Sequence, residues 1–220
     1  MKLSPRLSSL VPFLSKEDIT ADIGCDHAYL SIYLVLNNLV TKASISDINE
    51  GAINNGLKNI TKYHLEDKIK AKLSDGIKDI DEDVNTLIIS GMGSSTIIKI
   101  LDSNKVNQIN KIITQSNNDH YLLRTEIIKK GYYISGETSI IDNNKYYLNI
   151  CFKKGTKRYN KLDLLYGPIL RKNKENEKYF AYVLKKEKQI YKNIPYYKIK
   201  AKINSLIKIK QIKKIIQSIQ

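Results

Sequence analysis

The chain has few of the residues that small stapled, metal-bound or fibrous proteins need. Its 220 residues include 2 cysteines and 3 histidines, which make no disulfide framework and leave little material for a zinc site. Its 4 prolines and 10 glycines exclude a collagen-like or linker-dominated chain. No apolar run approaches the roughly 18 residues of a membrane span, and the N-terminus lacks a signal-peptide pattern. We therefore expect a cytoplasmic protein without a membrane segment or a bound metal.

What remains is the composition of an ordinary folded protein. Hydrophobic residues make up 42% of the chain and charged residues 27%, so a real core is expected and a disordered chain is excluded. The length fits one mid-sized domain, or one domain with a small appendage.

Positive charge is concentrated at one end of the chain. Residues 1–150 hold 17 Lys and Arg against 18 Asp and Glu, whereas residues 151–220 hold 20 against 4. A lysine-rich genome would raise both counts, yet the first part is almost neutral. The basic part is therefore expected to contact a polyanion, with nucleic acid ahead of a membrane surface.

The first 150 residues alternate strand and helix patterns, which is typical of a parallel, doubly wound sheet. Predicted strands lie at 19–24, 43–48, 69–73, 86–90 and 111–115, with helices at 28–39, 51–63, 96–101 and 120–130. Runs at 132–141 and 146–152 flank a turn signal and predict an antiparallel hairpin. The expected class is α/β, a Rossmann-like and mostly parallel sheet.

The pattern changes in the last third of the chain. No strand-like alternation follows residue 162, and helices are predicted at about 175–194 and 198–219. The second carries Ile or Leu every three or four residues, which favours a coiled-coil-like helical hairpin that buries them. Those residues are Ile199, Ile203, Leu206, Ile207, Ile209, Ile212, Ile215, Ile216 and Ile219. We expect two domains, 1–155 and 156–220.

The loop after the first strand points to a ligand without phosphates. Gly24 allows a tight turn, but Cys25 and Asp26 follow it, so the G-x-G-x-x-G pattern is missing. A pyrophosphate needs bare backbone N–H groups and avoids a carboxylate, which disfavours a nicotinamide oxidoreductase. S-adenosylmethionine, with its amino-acid head, suits the loop better.

Acids also follow the next two strands. Asp47 stands where a carboxylate can accept hydrogen bonds from both ribose hydroxyls. Asp75-Gly76 stands where a carboxylate can accept a hydrogen bond from an adenine amino group. Each acid alone reads more simply as a helix cap or turn residue. Together with Asp22, three acids at successive strand ends favour S-adenosylmethionine binding.

The fourth strand ends in Ser90-Gly91-Met92-Gly93. Its two glycines let a flat ring approach the backbone, although a simple tight turn is the plainer interpretation. The Asn/Asp-Pro-Pro-Tyr motif of amino-group methyltransferases is absent. That absence disfavours methylation of an exocyclic amine and leaves ring nitrogens, oxygens and carbons open. Cys25 is expected to pack rather than react.

Five short strings stand out along about residues 3–155: Ser4-Pro5-Arg6-Leu7, Ala21-Asp22-Ile23-Gly24-Cys25-Asp26-His27-Ala28-Tyr29-Leu30, Ser74-Asp75-Gly76, Ser90-Gly91-Met92-Gly93 and Gln115-Ser116-Asn117. In this order and spacing they resemble the bacterial tRNA (adenine-22, N1)-methyltransferases. The family usually has Pro where Ser116 stands and often Gly where Ser94 stands. The replacement at Ser116 predicts a looser turn beside the target base.

The resemblance implies a class I methyltransferase domain, S-adenosylmethionine as donor, and a helical hairpin that helps hold tRNA, with no obligate protein partner. The cofactor residues would be Asp22, Gly24, His27, Tyr29, Asp47, Asp75, Gly76, Gly91, Met92 and Gly93. Asp26 would stabilise the charge on the methylated adenine, Asn117 would contact the adenine edge, and Arg6 would bind a phosphate or order the loop.

Two other interpretations stay open. The protein could methylate another RNA or a small molecule, or it could be an RNA-binding protein that keeps the fold without catalysis. The second predicts decay of the cofactor loop, whereas the loop and strand-end acids are all present.

Overall fold

The computed structural model describes residues 1–220, and the chain divides into two compact units, Met1–Arg158 and Tyr159–Gln220. None of its helices is both long enough and apolar enough to cross a membrane.

The first unit is built on one seven-stranded sheet in the order β3-β2-β1-β4-β5-β7-β6. Its strands are β1 (Ile19–Ile23), β2 (Lys42–Asp47), β3 (Ile69–Leu73), β4 (Thr86–Ser90), β5 (Lys111–Ser116), β6 (Tyr132–Asp142) and β7 (Lys145–Lys154). Strands β1 to β5 are parallel to one another, and β7 is antiparallel to both β5 and β6. This confirms the predicted doubly wound sheet. Its order reverses between β1 and β4, where ligands of such sheets bind.

Four of the five helices of this unit connect successive strands along the chain, and the first precedes β1. The five helices are α1 (Pro5–Ser8), α2 (Tyr29–Leu36), α3 (Glu50–Lys62), α4 (Ser94–Ile100) and α5 (His120–Lys129), with 3₁₀ turns at Val11–Phe13 and Asn104–Gln108. Helix α2 begins one residue later than predicted because Ala28 has a left-handed backbone, with φ at +60°. The apolar runs of β1, β2, β4 and β5 are almost fully buried, as expected of strands covered on both faces.

The hairpin of β6 and β7 extends the sheet past β5. Strand β6 forms the edge and β7 returns between β6 and β5. The two-residue turn consists of Asn143 and Asn144, whose φ angles are +47° and +60°. Asparagine tolerates this left-handed region, which short hairpin turns need, so the turn is shorter and both strands are longer than predicted.

The second unit is helical. It contains α6 (Lys161–Tyr166), 3₁₀ turns at Leu170–Lys172 and Lys174–Asn176, and the long helices α7 (Glu177–Asn193) and α8 (Ile199–Ile219). Two hydrogen bonds show that the two long helices are antiparallel. Ser205 Oγ donates to Glu187 Oε1 at 2.7 Å, and Lys174 Nζ donates to the Gln220 carbonyl at 3.1 Å.

The predicted burial of α8 is correct for only part of the helix. Ile209, Ile212, Ile215 and Ile219 are buried, but the apolar residues of its first half are exposed: Ile199, Ile203, Leu206 and Ile207. For these four residues the expectation that the hairpin buries its isoleucine stripe is wrong. The stripe is longer than the surface that covers it.

Candidate cofactor and substrate site

Gly24, in the loop after β1, packs closely against the Met92 side chain of the loop after β4. Gly24 has φ at +75°, and its N–H donates to the Ser46 carbonyl at 2.7 Å. A Cβ built on Gly24 would lie 2.0 Å from Met92 Cε. Only glycine therefore fits here without moving Met92 or straining the turn.

A cavity of about 440 Å³ opens beside this close approach, at the carboxyl ends of β1, β2 and β4. It brings together five of the predicted cofactor residues, namely Gly24, Asp47, Asp75, Gly76 and Met92. The remainder of its lining is Ile23, Ile48, Ser74, Lys78, Thr96, Lys99, Ile100, Asp102 and Ser103. The volume is in the range of pockets that enclose small-molecule ligands.

The lining from α4 onward was not predicted. Thr96, Lys99, Ile100 and Ser103 line the cavity from that side. Thr96, Lys99 and Ile100 lie three and four residues apart on one face of α4, a periodicity that could have been read from the sequence, whereas Ser103 follows the helix.

Asp22 is a buried carboxyl next to this cavity's first loop. It is only 5% exposed, and burial raises its pKa to about 7. The nearby Asp47 raises the pKa further, while Arg6 opposes both effects. A cationic group placed beside Asp22 would favour its ionised form, because an opposite charge lowers the pKa of a carboxyl.

Asp47 and Asp75 line the cavity and also have local partners. Asp47 Oδ1 accepts from the Asn49 N–H at 2.9 Å, so this acid does form the turn that the plainer interpretation predicted. Asp75 pairs with Lys78 Nζ at 2.6 Å, and that hydrogen bond lowers the pKa of Asp75. Both acids are exposed enough to meet a ligand as well.

Asp26, His27 and Tyr29 do not line the cavity. The Asp26 side chain is 74% exposed and lies 3.4 Å from His27 Nε2. The His27 ring stacks on Tyr29, with centroids 5.3 Å apart. Asp26 therefore faces outward from the loop, where a second molecule can approach it.

Cys25 packs against the core, as predicted. Burial raises the pKa of its thiol well above its ordinary value. A nucleophilic cysteine needs its thiolate form, so this environment disfavours a reactive role.

Arg6 is held firmly rather than free at the terminus. Its Nη1 donates to Gln115 Oε1 at 3.2 Å, and Gln115 Nε2 donates back to the Arg6 carbonyl at 3.2 Å. The guanidinium lies 5.7 Å from the Tyr147 ring centroid, and a Cβ on Gly91 would lie 3.3 Å from Nη1. The N-terminal helix thus presents Arg6 at the β4 loop.

The sequence did not predict the network of buried side-chain amides that lies behind Arg6. Gln115 Nε2 also donates to Asn149 Oδ1 at 2.6 Å, and Asn149 Nδ2 donates to the Ser9 carbonyl at 3.0 Å. Gln115 and Asn149 are fully buried. Buried amides are costly unless satisfied, so this network ties α1 to β5 and β7.

Asn117 joins the loops after β5 and β4. Its N–H donates to the Met92 carbonyl at 2.9 Å, and its Nδ2 donates to the Gly91 carbonyl at 2.6 Å. The side-chain carbonyl oxygen is left available to accept a hydrogen bond.

Ser116 is held in its turn by hydrogen bonds. Ser116 Oγ lies 2.8 Å from Ser94 Oγ and donates to the Asn118 carbonyl at 2.9 Å, and both serines are buried. Ser94 and Ser116, the two departures from the family pattern, therefore contact each other and restrain the loop after β5. His120 packs beside them, 3.2 Å from the Ser116 carbonyl, and burial lowers its pKa to about 4.

The sheet and the cavity together define a class of protein. A doubly wound sheet extended by an antiparallel hairpin has its cavity at the reversal of strand order, with acids and a close-packed glycine but no pyrophosphate cradle. These are the features of a class I, S-adenosylmethionine-dependent methyltransferase.

Similarities to known proteins support this assignment to the methyltransferases. Residues 3–150 match a family described as a methyltransferase domain. The chain is 30% identical over 183 residues to the tRNA (adenine(22)-N(1))-methyltransferase of Bacillus subtilis, covering 79% of this chain and 77% of the relative. It therefore belongs to the tRNA (adenine(22)-N(1))-methyltransferase family.

Two solved structures share the whole fold. M. capricolum TrmK, in complex with S-adenosyl-homocysteine, is 32% identical with a TM-score of 0.86, and the match covers 100% of both chains. Streptococcus pneumoniae Sp1610, in complex with S-adenosyl-L-methionine, is 27% identical with a TM-score of 0.87, covering 98% of this chain and 100% of the other.

Proposed function

We propose that this protein transfers a methyl group from S-adenosylmethionine to N1 of adenine 22 in tRNA. The observation that carries the proposal is the cavity at the Gly24–Met92 approach, in a chain of this family. Residues Met1–Arg158 would perform the reaction, and the basic unit Tyr159–Gln220 would contact tRNA. Since tRNA is the substrate, the cytoplasm is the expected compartment.

The residues around the cavity fit S-adenosylmethionine. Asp22 would pair with the ammonium of its amino-acid head, Asp47 would accept from the ribose hydroxyls, and Asp75 with Gly76 would meet the adenine. Ile48, Met92 and Ile100 give apolar walls for the flat ring. Gly91, Gly93, His27 and Tyr29 would complete the two loops that enclose the head. When bound, the cofactor supplies a methyl group on a positively charged sulfur.

The target adenine needs positioning more than a base. N1 already carries a lone pair, and it must be unpaired and exposed to react. Asn117 can accept from the adenine amino group through its free carbonyl oxygen, and Arg6 can bind a flanking phosphate. Methylation leaves positive charge on the ring, which the exposed Asp26 carboxylate would stabilise.

Methyl transfer to a defined tRNA tests this function. The full protein is incubated with labelled cofactor and a tRNA transcript, and the RNA is digested to nucleosides. We expect the label in 1-methyladenosine, and none in a matched transcript with guanine at position 22. Equal labelling of the two transcripts, or label in another nucleoside, would contradict the proposal.

Gly24→Ala should weaken cofactor binding by more than about tenfold, which corresponds to about 1.4 kcal/mol. The new Cβ would push Met92 Cε from its place at the cavity wall. Calorimetric titration with S-adenosylmethionine measures the loss.

Gly131→Ala is the matched control. Gly131 has φ at +87°, and a Cβ there meets nothing within 4 Å. Both variants carry the left-handed strain of about 1–2 kcal/mol, so thermal unfolding should fall similarly in each. Equal cofactor affinity in the two variants would show that the Gly24–Met92 approach is not part of the site.

Asp22→Asn should bind cofactor more weakly than wild type above pH 7 and lose the pH dependence of binding. The pKa of Asp22, raised to about 7, means that its charge forms as the pH rises through neutrality. Wild-type affinity for the cationic head should therefore increase as the pH rises through about 7 and level off above it. Titrations in two buffers of different ionisation enthalpy would detect the proton released on binding.

The same variant should be more stable than wild type in the absence of ligand. Because the folded pKa of Asp22 lies above its ordinary value of 3.8, the folded state holds an extra proton between about pH 4 and 7. Wild-type stability is thus lost as the pH rises through that window, and asparagine avoids the loss. Urea unfolding should show the difference above pH 7 and little at pH 4; the opposite order would refute the burial argument.

A further inference from the structure

The connection between α7 and α8 exposes an unusual group of apolar side chains. Tyr196 is 85% and Tyr197 67% exposed, and Ile199 and Ile203 at the start of α8 are also exposed. We call Tyr196 and Tyr197 with these two isoleucines the hairpin tip. Large apolar groups clustered in this way commonly mark a binding surface rather than chance exposure.

The hairpin tip lies in a segment with positive charge only. Residues 188–220 contain nine lysines and no aspartate or glutamate. The nearest preceding acid, Glu187, accepts a hydrogen bond from Ser205. Lys202 lies over the Tyr191 ring at 5.2 Å, so a cation and an aromatic face are already paired beside the tip.

This combination selects the kind of partner. A second copy of the chain would bring its own lysines against these, and like charges oppose such contact. Unpaired nucleotides offer a flat apolar face together with a phosphate, which matches aromatic rings surrounded by lysine. A double helix offers only the phosphates, because its bases are stacked on each other.

The geometry of the two rings leaves room for a base. Tyr196 and Tyr197 meet edge to face, with centroids 5.7 Å apart and planes at 84°. In such a pair one ring covers at most one face of the other, so each ring keeps an open face for stacking.

We propose that Tyr196 and Tyr197 form a stacking site for an unpaired base of the tRNA. The proposal rests on the proposed function, because it takes tRNA as the ligand. It adds a contact that is independent of phosphate charge and that selects a looped rather than a duplex part of the RNA.

A single tryptophan can report this contact directly. The chain has no tryptophan, so Tyr197→Trp in the full protein gives one indole at the hairpin tip. Stacking quenches indole emission. We expect quenching by tRNA and by a single-stranded RNA oligonucleotide, and much less by an RNA duplex carrying as many phosphates.

Paired variants measure the contribution to binding. Replacing both tyrosines by leucine should weaken tRNA binding by roughly five- to 150-fold, the value of one stacked base, with the salt dependence unchanged. Replacing both by phenylalanine keeps the rings and should leave affinity near wild type. Because the side chains are exposed, neither pair should alter thermal unfolding.

Three results would overturn the proposal. They are equal quenching by duplex and single-stranded RNA, unchanged affinity of the leucine variant, and a dimer of the wild type that sedimentation shows to be lost in that variant. Methyl transfer by the wild type is measured in parallel. If quenching occurs but no tRNA is methylated, the proposed function fails while the stacking site stands.

Discussion

Asp26→Asn should lower turnover of tRNA by roughly two to four orders of magnitude while cofactor affinity changes by no more than a few-fold. That range is usual for a positioned acid–base or charge-stabilising group. The carboxylate would stabilise the positive charge that methylation places on adenine, and the neutral amide cannot. Single-turnover methyl transfer and calorimetry separate the two effects.

Asparagine is the appropriate replacement because of the backbone at this position. Asp26 has φ at +49°, a region that asparagine adopts at a lower cost than alanine. The variant therefore removes charge with little strain. It also leaves the cavity untouched, because Asp26 does not line it.

Asp67→Asn removes the same charge from an exposed position in the loop before β3 and serves as the control. It should turn over at the wild-type rate. Parallel losses of cofactor affinity and turnover in Asp26→Asn would instead assign Asp26 to cofactor binding. A wild-type rate would exclude it from catalysis.

The sheet could be predicted because buried parallel strands have a simple sequence pattern. Strands covered on both faces read as short apolar runs, and Thr86–Ser90 is one with four of its five residues buried. The cofactor cavity was predictable in part for a related reason. Its acids and glycines follow the carboxyl ends of strands, and in a parallel sheet those ends lie at the same edge.

The environment of Arg6 could not be predicted, because it depends on contacts distant in sequence. Gln115 and Asn149 lie 109 and about 140 residues from the segment they hold, and no local pattern links them. The same holds for the Ser94–Ser116 pair. Each serine alone is a loss of a turn-forming residue, whereas together they form a buried hydrogen bond.

The helical hairpin of α7 and α8 shows what apolar periodicity cannot predict. An apolar stripe predicts a helix and the face that packs, but not how far the partner extends along it. Ile209 and Ile212 are covered while Ile199 and Ile203 are not. Only the structure separates the packed part of the stripe from the exposed tip.

Replacing Lys208, Lys210 and Lys213 by alanine together should weaken tRNA binding by one to a few orders of magnitude at low salt. All three side chains are exposed on α8, in the part of the chain that holds the excess of lysine. Each phosphate contact contributes about 0.7–0.9 to the slope of log affinity against log salt. The variant's slope should therefore be smaller by about two to three units, equally for all tRNAs, as fluorescence anisotropy across a salt series would show.

The matched control removes three exposed lysines from the first unit, Lys16, Lys58 and Lys62. It lowers the net charge by the same amount, so a general electrostatic attraction would weaken binding equally in both variants. A local contact with the hairpin would weaken it mainly in the first. Cofactor affinity should stay at the wild-type value in both, because none of the six residues lines the cavity. Equal slopes for the two variants would mean that the lysine excess reflects composition alone, and the second unit would then need another role.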